Sequence, residues 1–595
     1  MRIAYKDRKL EAAIVAIKAV TSALVVASFV VLFGFDEPLI PKSILFTIQL
    51  GLLLIFLAGK VVRFFNAVFK KDYIVANWFE IPLLLALGAT VLGSRWWFGG
   101  AEPEDVRHLG IGIYLIIEVL VKVCMASVGL AASGKNPTKT LIASFLVLII
   151  AGGGLLMLPK ASTGEPLSFV DALFTATSAT CVTGLVVKDT GQDFTFMGQM
   201  IILALIQLGG LGIVVFGAVF ALLLGQAFSI RESVAMQDVL SAQTLSRIGN
   251  MIVFIFVATV AIEAAGAVLL YPMWDNVPGV PTDVQFRWFC SIFHSISAFC
   301  NAGFGLFNDS LIRYSSQWQV YTVIATLIIL GGLGFGVLYN LADIAANRIQ
   351  RFFKRLFYKQ YRLQMEFPRR MRLQTKIVLS ISVFMIVLGA VMILLFEQYA
   401  GSPLDARPDI LGAFFQSVTS RTAGFNTVDI AGMTASSKIV LIMWMFIGGS
   451  PGSTAGGIKT VTLAVIVMMV IATLRKRAEV EMFHRSVRPV VVGRAITVAM
   501  LFVVALFGTT LALSVTENPL PVQFAILDVM FEAVSALGTV GLTTGMTPTL
   551  TGAGKIIIIV AMLVGRLGPL TLLAALTFNL KPVRYNYPDE AIIVG

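Results

Sequence analysis

The chain has 595 residues, of which 57% are hydrophobic and 13% charged, far from the balance of soluble globular domains. Its net charge of +12 could suit nucleic acid, but in so apolar a chain it fits better the surplus of Lys and Arg that membrane proteins carry on their cytoplasmic side. The four cysteines, Cys124, Cys181, Cys290 and Cys300, outline no disulfide framework, and the three scattered histidines form no metalloprotease string, so an intramembrane enzyme is disfavoured.

The predicted fold class is an all-α polytopic membrane protein. Residues 1–134 carry four leading spans, at about 10–34, 43–60, 77–95 and 109–131. The first is too long for a signal peptide and has no small-residue cleavage site, so it reads as a retained span. None of the four has the regularly spaced Arg of a voltage sensor. Glu118 and Lys122 are spaced to pair on one helix face. The region reads as scaffold or as a dimer contact.

From residue 135 onward one pattern occurs four times. A Phe-led polar stretch ends in a Gly-centred turn at Phe174–Gly184, Phe293–Gly303, Phe414–Gly424 and Phe531–Gly541, with the glycines 119, 121 and 117 residues apart. Each is followed by a second signal in an apolar run: Gly209-Gly210, Gly331-Gly332, Gly448-Gly449 and Gly565-Arg566. Such periodicity marks repeated units, here 135–246, 247–372, 373–490 and 491–595, the last including the C-terminus. The first spans are predicted at Leu141–Leu158, Met251–Leu270, Ile377–Phe396 and Ala495–Val515. The middle segments, such as Ser168–Ala179, are too short to span and suit re-entrant helices. The second spans are predicted at Met200–Leu224, Val320–Leu341, Lys438–Val470 and Ile556–Leu576.

Basic clusters at Arg348–Lys376 and Arg475–Arg494 belong inside; acidic or proline-rich loops at 36–38, 102–105, 272–281 and 519–521 belong outside. Both termini are then cytoplasmic. Each repeat crosses the membrane an even number of times, so the four copies are parallel and can surround one axis. Inverted repeats, usual in many carriers, are not indicated.

Each turn has a glycine that can take positive φ, which lets successive carbonyls face one side. The pairs Thr183-Gly184, Ala302-Gly303, Ala423-Gly424 and Val540-Gly541 would then form carbonyl rings able to replace a cation's hydration shell. No turn ends in Asp or Glu, so the field comes from backbone dipoles and from the C-terminal ends of the re-entrant helices. Cys181 and Cys300, three residues before their filter glycines, are small packing groups or thiols near the ion path. Arg421, within a turn, needs a partner such as Glu532 or Asp429 and reads as a brace for the filter. Asp171 and Asp528 are expected to cap the re-entrant helices and to lend negative potential to the mouth.

The third repeat is interrupted by Gly448-Gly449-Ser450-Pro451-Gly452-Ser453-Thr454-Ala455-Gly456-Gly457, which cannot be a stable helix. At membrane depth it must be buried in protein or line a cavity. It is not a phosphate loop, because Ile458 separates the last glycine from Lys459-Thr460 and no strand precedes it. Arg566 replaces the second glycine of the other repeats. Facing a wet cavity it would be a positive barrier to cation leak; alternatively it is structural, paired with a carboxylate or with backbone carbonyls.

Over roughly 135–580 the chain resembles the Trk/Ktr/HKT superfamily of potassium transporters, in particular pore-forming subunits of the TrkH/KtrB type. The strings that carry the resemblance are Thr177-Ser178-Ala179 through Gly184-Leu185, the run Phe293 to Phe299, the run Arg421 to Thr427, and the run Phe531 to Ala536. It implies that Gly184, Gly303, Gly424 and Gly541 line the potassium site. Glycine in all four repeats goes with potassium selectivity in that family, and Ser in the first with sodium transport. The resemblance further implies that the loop 448–457, with Lys459 at its end, gates the path below the filter, and that Arg566 is a barrier. It implies a homodimer and a cytoplasmic nucleotide-binding regulatory ring of the TrkA/KtrA kind. The basic segments would be docking surfaces for that ring or ordinary loops touching anionic lipid. Trk-type members often carry one extra helix pair; four leading spans depart from that. The expected function is potassium uptake across the cytoplasmic membrane, with potassium as the transported ion and no covalent cofactor. The rival is a sodium-coupled or sodium-permeable carrier on the same scaffold.

Overall fold

The computed structural model describes residues 5–576 apart from 36, 38, 78–79, 98–106, 109, 120–136, 213–217, 219–247, 277–282, 358–369, 400–407 and 519–523. The predicted outer loops at 102–105 and 519–521, Lys122, Cys124, the far half of the first repeat's second span and the C-terminus lie outside the described residues, as does part of the first basic segment.

The leading unit comprises α1 (Arg8–Phe33), α2 (Lys42–Asn66), the short α3 (Lys70–Ala76), α4 (Glu80–Trp97) and α5 (Gly110–Val119). Its core joins Val25, Leu52, Leu53, Phe56, Leu87, Ile111, Tyr114 and Leu115. Lys60 of α2 is buried there between Glu80 at 3.2 Å and Glu118 at 2.9 Å, so Glu118 is engaged across helices. A backbone hydrogen bond from Lys160 to the Gly34 carbonyl, 3.2 Å, ties this unit to the first repeat.

The first repeat follows with α6 (Pro137–Leu156), α7 (Phe169–Cys181) and α8 (Phe196–Leu211). The second has α9 (Ile248–Leu270), α10 (Val284–Cys300), α11 (Val320–Leu333) and α12 (Phe335–Phe357). The third has α13 (Leu373–Tyr399), α14 (Ile410–Thr419), α15 (Ala435–Phe446) and α16 (Thr460–Leu474). A two-stranded antiparallel hairpin, β1 (Val480–Met482) and β2 (Arg485–Val487), leads to the fourth, α17 (Pro489–Thr516), α18 (Ile526–Gly538), α19 (Gly552–Leu567) and α20 (Pro569–Leu576). Among the described residues, five helices are long and apolar enough to cross a bilayer: α1, α2, α9, α13 and α17, with α9 extended to Trp274.

The re-entrant helices α7, α10, α14 and α18 stand where the short polar stretches predict them. The second spans differ from expectation: they break in the second and fourth repeats as well as in the third. Helix α11 ends at Gly334 (φ 88°) and the chain turns by 103° into α12. Helix α19 ends at Gly568 (φ 83°) and α8 at Gly212 (φ 80°). A residue with a Cβ is strained at such φ values, which is why each helix stops at the last Gly of its Gly-rich signal.

The helices close a circuit. Helix α8 packs on α10 of the next repeat, α11 on α14, α15 on α18, and α19 back on α7 of the first repeat. Two ion pairs reinforce it where the fourth repeat meets its neighbours: Lys438 of α15 with Asp528 of α18, 3.0 Å, and Lys555 of α19 with Asp171 of α7, 2.6 Å. The carboxylates are thus not caps, contrary to expectation. Ser168 caps α7 by accepting from Asp171 N, and Ala525 at the start of α18 has no capping side chain. Asp171 and Asp528 sit one turn inside, where the helix dipole also favours a negative charge.

Candidate ion path and its obstruction

At the centre of the circuit lie the four Gly turns. Three re-entrant helices end in a left-handed residue, Val182 (φ 58°), Asn301 (φ 59°) and Thr539 (φ 50°); in the third repeat Thr422 (φ 80°) holds the same place. Two residues on, Gly184, Gly303, Gly424 and Gly541 also have positive φ, at 92°, 69°, 82° and 92°. Alternating the sign of φ in this way can turn neighbouring carbonyls to one side of the chain. Each turn is anchored to its own helix: the amides of Thr183, Ala302, Ala423 and Val540 donate to the carbonyls of Ser178, Ser297, Thr419 and Ser535 at 2.7–2.9 Å.

The four turns form a ring in chain order. A Cβ on Gly184 would sit 2.5 Å from the Ala302 carbonyl oxygen, and one on Gly303 would sit 2.6 Å from that of Ala423. In the same way Gly424 backs onto the Val540 carbonyl and Gly541 onto that of Thr183. The predicted filter residues are therefore brought together, and no side chain fits at any of the four glycines.

Sequence reasoning missed the side-chain braces behind this ring. Ser178 Oγ accepts from Gly184 N and Ser535 Oγ from Gly541 N, both at 3.1 Å. Ser297 donates to the Phe304 carbonyl at 2.8 Å and Thr419 to that of Phe425 at 2.6 Å. A hydroxyl five or six residues before each filter glycine is the signal that could have shown them. Arg421 is buried, and its partner is neither Glu532 nor Asp429. It donates to Ser382 Oγ of α13 at 3.2 Å. Glu532 instead binds the loop that follows its filter turn, receiving Thr543, Thr544 N at 3.0 Å and Thr547 at 2.8 Å, and Asp429 accepts from Ala431 N at 3.0 Å. Cys181 and Cys300 are fully buried. Cys300 Sγ occupies the space a Cβ on Gly210 would need, and lies 3.6 Å from Gln207 Oε1 and 3.9 Å from Glu263 Oε1.

The loop 447–459 leaves and re-enters through a narrow neck, where Gly448 N donates to the Ile458 carbonyl at 2.9 Å and Thr460 N to that of Gly449 at 3.1 Å. Its body is buried: Ser450, Thr454, Ala455 and Ile458 are at most 3% exposed. It fills the break in the second repeat. Ser450 N donates to the Gly332 carbonyl at 3.0 Å, Thr454 Oγ1 to that of Gly331 at 3.2 Å, and Phe335 N back to Gly452 at 3.0 Å. These bonds satisfy carbonyls that the helix end leaves free. Lys459 Nζ donates to the Ala455 carbonyl at 2.7 Å, closing the loop on itself. A Cβ on Gly456 would lie 3.1 Å from the Gly538 carbonyl, which puts the loop directly against the base of the fourth filter turn.

Arg566 lies against this loop, and its partners are backbone carbonyls, as the structural alternative expects. An arginine in the last turn of an apolar helix needs partners for its charge, and here backbone carbonyls supply them. The guanidinium donates to the Thr454 carbonyl of the loop, to Gly209 at 2.5 Å and to Gly210 at 3.4 Å. One side chain from the fourth repeat therefore joins the loop of the third to the end of α8 in the first.

The sequence matches the family model for TrkH, described as a cation transport protein, over residues 112–582. It is 37% identical over 474 residues to Ktr system potassium uptake protein B of Bacillus subtilis (strain 168), covering 77% of this chain and 97% of that protein. The potassium/sodium uptake protein NtpJ of Enterococcus hirae is 34% identical over 469 residues, with 77% and 97% covered. In fold it is similar to the crystal structure of the potassium transporter TrkH from Vibrio parahaemolyticus, with TM-score 0.55, 19% identity, and 85% of this chain and 98% of that chain covered. The relatives fit almost whole within about three quarters of this chain, and the family model leaves residues 1–111 outside it. With its broken spans, ring of Gly turns and extent of match, the chain belongs to the TrkH family of cation transport proteins.

Proposed function

We propose that this chain is the pore-forming subunit of a potassium uptake system in the cytoplasmic membrane. Potassium passes down its electrochemical gradient along the axis of the four repeats, bounded at about 135–246, 247–372, 373–490 and 491–595. The observation that carries this reading is the cyclic packing of Gly184, Gly303, Gly424 and Gly541 on the carbonyls of Ala302, Ala423, Val540 and Thr183. A ring of carbonyl dipoles braced from behind holds its diameter and discriminates between cations that differ in size and hydration. The loop 448–457 and Arg566 shut the path beneath it, by bulk and by positive charge. Both termini are cytoplasmic. The subunit works as a homodimer under a cytoplasmic ring of nucleotide-binding regulatory proteins, which releases the loop.

The test is ion selectivity. Gly184→Ser introduces a Cβ where the Ala302 carbonyl stands, at φ 92°, so the ring must widen or tilt. The ratio of potassium to sodium permeability is expected to fall by about tenfold, a difference of about 1.4 kcal/mol between the two ions. An unchanged ratio would remove Gly184 from the filter. A second reading, a carrier that also moves sodium, is favoured by the similarity to the potassium/sodium uptake protein NtpJ; it predicts appreciable sodium flux in the unaltered chain.

A further inference from the structure

Helix α16 begins at Thr460, one residue after Lys459 ends the obstructing loop, and Thr460 Oγ1 is 3.2 Å from Ser450 Oγ within that loop. Where α16 runs beside α13, the two helices and the hairpin enclose a cavity of about 400 Å³. Its walls are almost wholly apolar, with Ile377 and Phe384 from α13, Ala464, Val467 and Met468 from α16, and Phe483 from the hairpin turn. Among the described residues nothing closes its outer side: Phe384 is 62% exposed, Val467 46% and Phe483 50%.

Two features mark the rim. The hairpin turn places Phe483 (φ 48°) and His484 (φ 63°) in the left-handed region. Two-residue hairpins favour Asn or Gly there, and bulky residues at such angles are strained. The strained turn holds the Phe483 ring at the cavity edge, with Lys376 Nζ 5.8 Å from its centroid. Exposed cations lie in the adjoining segments, Lys376 on α13, Arg475 and Lys476 after α16, and Arg485 and Arg488 on and after the hairpin; they outnumber the exposed acids there, Glu479 and Glu481. A greasy slot beneath a cationic rim, on the face where basic residues gather, matches one kind of molecule in both halves.

We propose that this cavity binds an anionic phospholipid of the cytoplasmic leaflet, one acyl chain lying between α13 and α16 and the phosphate at the rim formed by Lys376 and the hairpin. The slot is open while the loop is clamped by Arg566 and Thr454, and a ligand shifts a conformational equilibrium toward the form it fits. Lipid that fits the slot better in this form than in an open one stabilises the shut path. This second clause rests on the reading of the loop as a gate; the binding site itself does not.

The experiment uses the full chain in vesicles of phosphatidylcholine with or without phosphatidylglycerol, each doped with a phosphatidylglycerol bearing a photoreactive acyl chain. Labelled peptides are mapped by mass spectrometry and potassium flux is measured in parallel. Label is expected on the segments around Phe384 and Val467–Met468. Ala464→Trp, which fills the slot, and Val467→Trp, which narrows its entrance from an exposed position, should each reduce that label about fivefold. Lys376→Gln with Arg485→Gln should erase the preference for phosphatidylglycerol over a phosphatidylcholine probe. Basal flux should be lower with phosphatidylglycerol for the unaltered chain and indifferent to it for Ala464→Trp. Absence of label, label in both tryptophan variants undiminished from that of the unaltered chain, or a disulfide between Phe384→Cys in two copies of the chain would overturn the site. Label without any effect of phosphatidylglycerol on flux would overturn its link to the path. Failure of the gate reading shows separately, as unchanged flux when residues 452–457 are removed.

Discussion

In the proposed gate, Arg566 is the residue that joins the loop to the rest of the ring. Its guanidinium donates to carbonyls of two other repeats, and hydrogen bonds from a charged donor contribute about 1.5–3 kcal/mol each. Arg566→Gln keeps some bonding capacity but loses the charge, so basal potassium flux is expected to rise by tenfold or so. A folded variant with unchanged flux would mean the guanidinium is only a packing device. The roles of single residues were unevenly legible in the sequence. The filter glycines stood out because four copies in phase have no simple packing explanation, and Arg566 because an arginine in an apolar helix demands one. Partners were not legible. Arg421 lies close in sequence to Asp429, yet the fold places it against Ser382 of α13, since a long side chain leaving a tight turn is aimed by the backbone and not by sequence distance. Ser178 and Ser535 read as ordinary small helix residues until the return of the chain brings Gly184 N and Gly541 N onto them.

Among the elements, the re-entrant helices were readable because they are short, polar and bounded by turn signals. The breaks in the second spans were readable only in the third repeat, where five glycines and a proline fall in ten residues. The Gly-Gly-Leu-Gly of the first two repeats is tolerable within a membrane helix, and what ends α11 is a positive φ at Gly334 whose freed carbonyls the loop then binds. Loop and break are thus two halves of one contact between the second and third repeats. Removing residues 452–457 takes away the bond to Phe335 N and the Thr454 groups that hold Arg566 and Gly331. Flux through the deletion chain should exceed that of the unaltered chain and should no longer respond to Arg566→Gln. Lower or equal flux from a well-folded deletion would contradict the gate.

At the scale of the molecule, parity was the decisive sequence argument: repeats that all cross an even number of times must be parallel, and parallel units can close a ring. What the sequence does not carry is how the ring is fastened. Among the described residues, two of its four joints have ion pairs, both involving the fourth repeat. Lys555 and Asp171 are 17% and 16% exposed, so water screens them in part and the pair contributes about 1–2 kcal/mol. Asp171→Asn and Lys555→Gln should each lower the midpoint of thermal unfolding in detergent, and the double variant should fall by less than the sum. Additive losses would show that the pair is not a fastening. The central claim is that potassium moves through this ring without help from another ion. The direct measurement is potassium flux into liposomes holding this chain alone, with the sodium gradient set first to zero and then inward. The account predicts potassium flux in both conditions, selective over sodium and limited by the clamped loop. Flux that occurs only with inward sodium would contradict it and make the same four repeats a coupled carrier.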